Sequence, residues 1–463
     1  METKNLWLKY DQVTIDACMA FNEDYKTFIS DNKTEREFVK GSIALLKEAG
    51  FKDLNDCIAN QTPLKAGDKV YANNKGKMIN CFVIGSEDIE RGMNILGAHI
   101  DSPRIDVKQR PLYEDHELCL LKSHYYGGIK KYQWVAIPLT LKGVVCKKDG
   151  TVVEVSVGDD ENDPVLGISD LLIHLAGEQM KKTAAEVIRG EDLNLMLGSM
   201  PCKDCEKDEK EATKKTILNI LKDKYDIEED DFISAELEIV PNGKARDYGL
   251  DRSMVIGYGH DDKVCAYTSL RALLDVQPGT RTYCACLVDK EEVGSIGATG
   301  MHSLAFENQV AEICALMGKD NFLAVRHVLA NSKMLSSDVS AAFDPNYAAV
   351  NDMFNTCFLG HGIVFNKYTG SRGKGGCNDA NGEYIAQLRN VMDSKEIGYQ
   401  TSELGAVDVG GGGTIAYICA QYNMEVIDAG VAVQNMHAPY EVVSKADVFE
   451  TYRAYKVFLE DMR

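Results

Sequence analysis

Short apolar runs alternate with helix-patterned stretches at both ends of the sequence, and this alternation restricts the possible fold more than any other feature. "MNILGAHI" (93–100), "TYCACLV" (282–288) and "EVIDAGVAV" (425–433) each have the length and the near-continuous apolar character of a buried strand. "KTEREFVKGSIALLKEAGF" predicts a helix capped by Thr34, with Phe38, Val39, Ile43, Leu45 and Leu46 on its apolar stripe and Gly50 as its stop. "DDKVCAYTSLRALLD" spaces Val264, Tyr267, Leu270, Leu273 and Leu274 at helical intervals, and the carboxyl-terminal "SKADVFETYRAYKVFLEDMR" opens on an S-x-x-D capping signature, Ser444 and Asp447. Strands alternating with helices predict an α/β fold whose sheet carries helices on both faces.

The middle of the chain has a different texture. "VVCKKDGTVVEVSV" is a hairpin pattern, with Asp149 and Gly150 at the turn and Val153, Val155 and Val157 alternating with other residues. A charged helical stretch over 206–231, containing Ile217, Ile220 and Leu221, leads into the strand-like "ISAELEIV". Residues 109–248 therefore read as a β-rich module inserted into an α/β domain formed by 1–108 and 249–463. The length of 463 residues accommodates this division, since single cores stop growing at roughly 250–300 residues.

Charge narrows the partners. Lysine and arginine number 51 against 71 aspartates and glutamates, a net charge of −20, which repels phosphate backbones and anionic lipid and argues against nucleic acid and membrane partners. The amino-terminal "METKNLWLKYDQ" carries charge where a signal peptide needs an apolar core, and no run approaches 18 apolar residues, so a cytoplasmic protein is expected. Fourteen cysteines scattered through such a chain are expected to be buried free thiols. Cys202 and Cys205 have CxxC spacing but no second pair or flanking histidine; a solvated loop is preferred there over a structural zinc site.

The polar residues that stand out follow apolar runs. His99 and Asp101 end "NILGAHID", Glu291 and Glu292 follow "CACLVDK", His437 follows "DAGVAVQNM", Asp338 lies in "MLSSDVSAAFDPNY", and Asp261 with Asp262 opens a helix after "MVIGYGH". Taken alone, Asp261 reads as a helix cap, His437 as a satisfied, partly buried histidine and the glutamate pair as a solvated turn. Together, at the carboxyl ends of strands where open α/β sheets bind ligands, they point to a divalent metal site with nitrogen and oxygen ligands, suited to zinc, manganese or cobalt. The H-x-D pair adds weight, because a metal-binding histidine commonly gives its second ring nitrogen to a carboxylate.

Five segments in order, "GAHIDSP", "GHDDKVCAY", "DKEEVGS", "LSSDVSAAFDPNY" and "NMHAPYEVVSKADV", closely resemble the signatures of the M18 metalloaminopeptidases, the aspartyl aminopeptidase family. The resemblance covers nearly the whole chain and is weakest in the middle module. It implies a metallopeptidase catalytic domain on a mixed sheet, an inserted β-rich dimerisation or lid domain, and two divalent ions per chain, zinc first. By position, His99 and Asp338 would hold one ion and Glu292 and His437 the other, with Asp261 bridging. Asp101 would orient His99, and Glu291 would be the general base. The implied substrates are short peptides with a free amino terminus, cleaved at the first bond, within a homo-oligomer built from dimers into a dodecamer.

Two further segments bear on specificity. In "FNKYTGSRGKGGCNDAN" the family resemblance implies a basic residue that pairs with an acidic substrate side chain; Lys367, Arg372 and Lys374 are the candidates, although the glycine-rich spacing departs from the eukaryotic pattern. "HYYGGIKKYQW" resembles a loop that reaches a neighbouring subunit's active site, with His124 an approximate match. The glycines of "DVGGGGTIA" lack the G-K-[ST] ending of a P-loop and read as a tight turn. The alternatives are a related metallohydrolase acting on N-acylated small amides and a non-catalytic oligomeric binding protein. Cleavage of N-blocked substrates distinguishes the first, and loss of metal binding the second.

Overall fold

Residues 4–203, 205 and 210–463 are described by a computed structural model. The chain forms two compact units. One comprises Met1–Ser102, Lys244–Met436 and Glu441–Arg463; the other comprises Pro103–Gly243 and His437–Tyr440. The change of unit at 103 coincides with the start of the strand Arg104–Asp115, which already pairs with Leu118–Tyr126 at its first residue.

The first unit is built on a nine-stranded mixed sheet with the order Lys52–Asp53, Lys69–Asn74, Met78–Val83, Thr282–Val288, Met93–His99, Lys333–Ser336, Glu425–Gly430, Ile363–Asn366, Tyr399–Thr401. Its four central strands, from Thr282–Val288 to Glu425–Gly430, are mutually parallel. Alternate residues of these strands enter two separate cores. Leu96, Ala98, Ala285 and Leu287 pack on one side with the helices Gln12–Asp31, Glu35–Glu48, His260–Asp275, Gly382–Ser394 and Lys445–Asp461. Ile95, Cys284, Cys286 and Val288 pack on the other with Ala305–Leu316, Phe322–Ala330 and Ala416–Ala420. A strand buried on both faces has no polar side to show, which is why these segments read as continuous apolar runs. A five-stranded sheet, Arg246–Tyr248, Met254–Gly257, Glu441–Ser444, Ala432–Gln434, Ser340–Ala341, belongs to the same unit.

The second unit contains a six-stranded antiparallel sheet, ordered Val152–Val157, Leu139–Cys146, Ala235–Pro241, Arg104–Asp115, Leu118–Tyr126, Leu195–Gly198. The hairpin expected at Asp149 and Gly150 joins its first two strands, with Gly150 at φ +91°. The charged segment forms the helix Ala212–Tyr225; residues 206–209 of it lie outside the described residues.

Local signals worked where the capping partner is also local. Thr34 Oγ1 accepts the Glu37 amide at 3.2 Å while Glu37 Oε2 accepts the Thr34 amide at 3.1 Å, the reciprocal pair of a capping box. The S-x-x-D expectation at the last helix is corrected: Ser444 occupies the cap position but makes no side-chain cap bond. Its intended partner, Asp447, accepts the amides of Gly360 and Gly362 instead, each at 2.7 Å. The twelve free cysteines are buried, apart from the half-buried Cys146 and Cys377, and burial raises the pKa of Cys284 and Cys286, leaving them as packing groups. Cys202 and Cys205 lie outside the helices and strands and are joined by a disulfide, which leaves no thiol pair for zinc.

Candidate metal centre

The four parallel strands end at one rim, and most of the residues singled out above are delivered there. His99 is the last residue of its strand, Asp289 to Glu292 follow Thr282–Val288, and Asp338 lies two residues beyond Lys333–Ser336. Asp261 and Asp262 come from the start of the helix His260–Asp275, where both depart from helical dihedrals and are joined by a cis peptide bond. Asp261 is therefore no simple helix cap: its amide donates to Glu441 Oε2 at 2.9 Å, and its side chain turns to His99, with Oδ1 3.2 Å from Nε2.

Asp101 organises the turn that carries the two glutamates. Its two carboxylate oxygens accept the amides of Glu291 and Glu292 separately, at 3.2 Å each. The short 3-10 turn Glu291–Val293 that results is entered at Lys290 (φ +72°) and left at Gly294 (φ +93°), so the backbone reverses sharply enough for adjacent side chains to take different directions. Asp101 Oδ1 also lies 3.4 Å from His99 Nδ1, whose shorter contact is to the Asp101 carbonyl at 3.0 Å. Glu291 Oε2 lies 3.8 Å from His99 Nε2.

Among the described residues, ligand atoms within 4.8 Å of one another form three overlapping groups: His99, Glu291 and Asp338; His99, Asp261 and Glu292; Asp261, Asp262 and Asp338. Each of His99, Asp261 and Asp338 belongs to two of them. The electrostatics are those of acids crowded together in a buried place. Burial opposes a charged His99, yet Asp101, Asp261 and Glu291 hold its pKa well above the ordinary value. Burial drives the carboxyls of Asp338 and Asp262 well above theirs, with repulsion from neighbouring acids adding to it. Buried oxygen and imidazole donors that cannot all ionise unaided fit divalent cations, and the donor set suits zinc, manganese or cobalt.

His437 belongs to the second unit, where Nδ1 is 2.9 Å from the Gly128 carbonyl oxygen, and it is in none of the three groups. His124, also in the second unit, is exposed and stacks on Tyr125 at 5.4 Å between ring centroids. Lys367 and Lys374 both bind Asp379, at 2.5 and 3.0 Å, and Lys374 lies 3.7 Å from the centre of the Tyr368 ring. Arg372 and Lys374 line a cavity of about 220 Å³ together with Tyr368, Glu403 and Asp408. The glycine-rich turn packs on this loop. Gly412 donates to the Thr369 carbonyl at 2.8 Å, and a Cβ on Gly411 would come 2.5 Å from Ser371 Cβ. Sequence reading passed over Glu441 and left Asp262 without a role; the adjacency of Glu441 to "NMHAPY" and of Asp262 to Asp261 were the available signals.

A strand-end cluster of this kind on a mixed α/β sheet has the donor set of a divalent-metal site. The chain belongs to the M18 peptidase family: the family model for aminopeptidase I zinc metalloproteases matches residues 28–459. A probable M18 family aminopeptidase 1 of Clostridium acetobutylicum is 59% identical, covering 99% of this chain and 98% of its own length. The Thermotoga maritima protein of the same name is 44% identical over the full length of both. Among solved structures, the T. maritima M18 aminopeptidase superposes with a TM-score of 0.94 at 43% identity, both chains being fully covered. The C. acetobutylicum aminopeptidase I superposes with 0.92 at 56% identity, again with both chains fully covered. The S. cerevisiae mApe1 dodecamer shares the fold at a TM-score of 0.75 and 21% identity, with 94% and 95% of the two chains covered. The protein is thus a metalloaminopeptidase, a hydrolase of peptide bonds. No described helix is long and apolar enough to cross a membrane.

Proposed function

We propose that the protein removes the amino-terminal residue of short peptides at a centre holding two divalent ions, zinc first, with Glu291 as general base. The observation that carries this reading is the overlap of the three ligand groups, in which His99, Asp261 and Asp338 are each shared. Sharing of this kind suits neighbouring cation positions bridged by Asp261 better than one isolated position. His99, Asp261, Glu292 and Asp338 would hold the ions, and His437 is assigned to the same set on the family resemblance. When bound, such ions polarise the scissile carbonyl and lower the pKa of an attacking water.

The chain's own residues do the rest. Asp101 fixes both glutamate amides, so the Glu291 carboxylate is aimed on a rigid turn. From there it takes a proton from water and returns it to the leaving amine. Asp101 also fixes the His99 ring through Nδ1 and leaves Nε2 as the donor atom. An acidic preference at the first residue would fall mainly to Arg372, because Lys367 and Lys374 already share Asp379. The second unit is assigned a dimerisation role within a dodecamer of the kind named for the yeast relative.

The test pairs metal analysis with cleavage of matched peptides beginning with Asp, Glu, Leu or Lys, and their N-acetylated forms. Two ions per chain, cleavage of free peptides only, and a Glu291→Gln variant that keeps its metal but loses at least about 100-fold in kcat are expected. An active Gln variant removes Glu291 from the base role. Cleavage of the acetylated peptides replaces the aminopeptidase mechanism with amide hydrolysis.

A further inference from the structure

Lys263 follows the two aspartates at the start of the helix His260–Asp275, and only 1% of it is exposed. An ammonium this deeply buried is costly unless partners fix it. Its Nζ donates to Ser102 Oγ at 2.5 Å, and Ser102 Oγ donates onward to the Asp261 carbonyl oxygen at 2.6 Å. A serine hydroxyl has one proton, and a lysine ammonium can only donate, so the direction of this chain is set from lysine to Asp261. The opposite side of the same residue is held by the Asp261 amide on Glu441 Oε2 at 2.9 Å. The local backbone is shaped for the ammonium. Gly259 sits at φ +75°, and a Cβ there would lie 2.8 Å from both Lys263 Nζ and Ser102 Oγ. The Tyr258 ring lies beside it, 5.3 Å from Nζ to centroid.

Peptide hydrolysis by the residues already assigned does not call for an ammonium here. We propose that Lys263 is a positioning residue for the Asp261 carboxylate, acting through Ser102 to clamp the backbone on which the bridging ligand is mounted. This rests on the metal-centre reading given above. With the amide held by Glu441 and the carbonyl by Ser102, the Asp261 backbone has little freedom to rotate, so its carboxylate meets His99 in one direction. Removing Ser102 Oγ frees the carbonyl side, removing the ammonium lets the Ser102 hydroxyl turn its proton away from that carbonyl, and both leave the Glu441 side intact.

The test uses full-length Lys263→Met, Ser102→Ala and Gly259→Ala variants, with metal affinity read by competition against a chromogenic zinc chelator and kcat and KM read on a free peptide. Each variant is expected to bind zinc about tenfold more weakly, the scale seen when a partner that orients a ligand is lost, with kcat reduced and KM unchanged. The double variant Lys263→Met with Ser102→Ala is expected to be no worse than the poorer single one, since both act along one chain. Parental zinc affinity in folded Lys263→Met and Ser102→Ala, folding being checked by circular dichroism, overturns the proposal. A silent Ser102→Ala beside an impaired Lys263→Met also overturns it, because the effect would then bypass the clamp. If Lys263→Met does not fold, Ser102→Ala and Gly259→Ala still decide, as both retain the charge. Absence of zinc binding by the unaltered protein would instead count against the metal-centre reading itself.

Discussion

The carboxylate of Asp101 accepts the backbone amide of Glu291 at 3.2 Å across 190 positions of sequence. One side chain thereby ties the end of one central strand to the turn that follows its neighbour. Asp101→Asn keeps the shape but exchanges one acceptor oxygen for a donating NH2 group, which then faces either the Glu291 or the Glu292 amide. The variant is expected to bind zinc about 10- to 100-fold more weakly and to lose kcat, with its circular dichroism spectrum unchanged. Isothermal titration with zinc checks the first expectation; an affinity equal to the parent's would confine Asp101 to a structural role.

Specificity can be tested by releasing the lysines. Asp379→Asn removes the carboxylate that Lys367 and Lys374 share. If a cation of this loop reads the substrate side chain, kcat/KM for peptides beginning with Asp or Glu rises by about tenfold relative to Leu, one well-placed charge-assisted bond. Arg372→Gln is expected to move the same ratio the other way. A ratio untouched by both substitutions excludes the loop from substrate recognition.

Burial pushes the Asp447 carboxyl up to about 7, outweighing the two amides that it accepts. The folded state therefore holds this proton more tightly than the unfolded chain, whose carboxyl ionises near its ordinary value of 3.8. The resulting stability is complete below that ordinary value and is lost as pH rises through about 7. Thermal midpoints of the parent should fall between about pH 5 and pH 8 relative to Asp447→Asn, which cannot ionise. The slope is the readout, since the asparagine NH2 also faces one glycine amide and lowers the variant at every pH. Parallel profiles would assign the proton elsewhere.

Thr34→Ala removes the hydroxyl that accepts the Glu37 amide. The helix Glu35–Glu48 should lose about 1 kcal/mol, with Thr34→Ser restoring most of it. Calorimetric midpoints of the three proteins measure this. A serine variant as unstable as alanine would point to the buried Thr34 methyl group instead.

The legible parts of this molecule are those in which a signal and its cause share a short stretch of chain. Two-sided burial writes itself into Ile95, Leu96 and Cys284 to Val288 as uninterrupted apolarity, and the polar residues that end these runs fall at the rim because strand ends fall there. The Thr34 cap was readable for the same reason. Asp447 was misread because its carboxylate is claimed by Gly360 and Gly362, remote amides that a four-residue rule does not consider. Lys263 and Glu441 escaped notice because their importance exists only where Ser102 and Asp261 meet them in space. CxxC spacing is equally compatible with a loop, a metal or a bridge, and the pairing of Cys202 with Cys205 had no separate signature.

The segment His437–Tyr440, which the chain enters and leaves within four residues, has its anchors in the second unit: the Gly128 carbonyl for His437 and the Asn242 carbonyl for the Tyr440 hydroxyl. The middle of this sequence is therefore not a detachable accessory. Splicing residue 102 directly to residue 244 to obtain a minimal enzyme would delete both carbonyls and leave a late stretch of the polypeptide without its moorings. Modular transplantation from this protein has to carry 103–243 and 437–440 together, as a cassette encoded in two pieces.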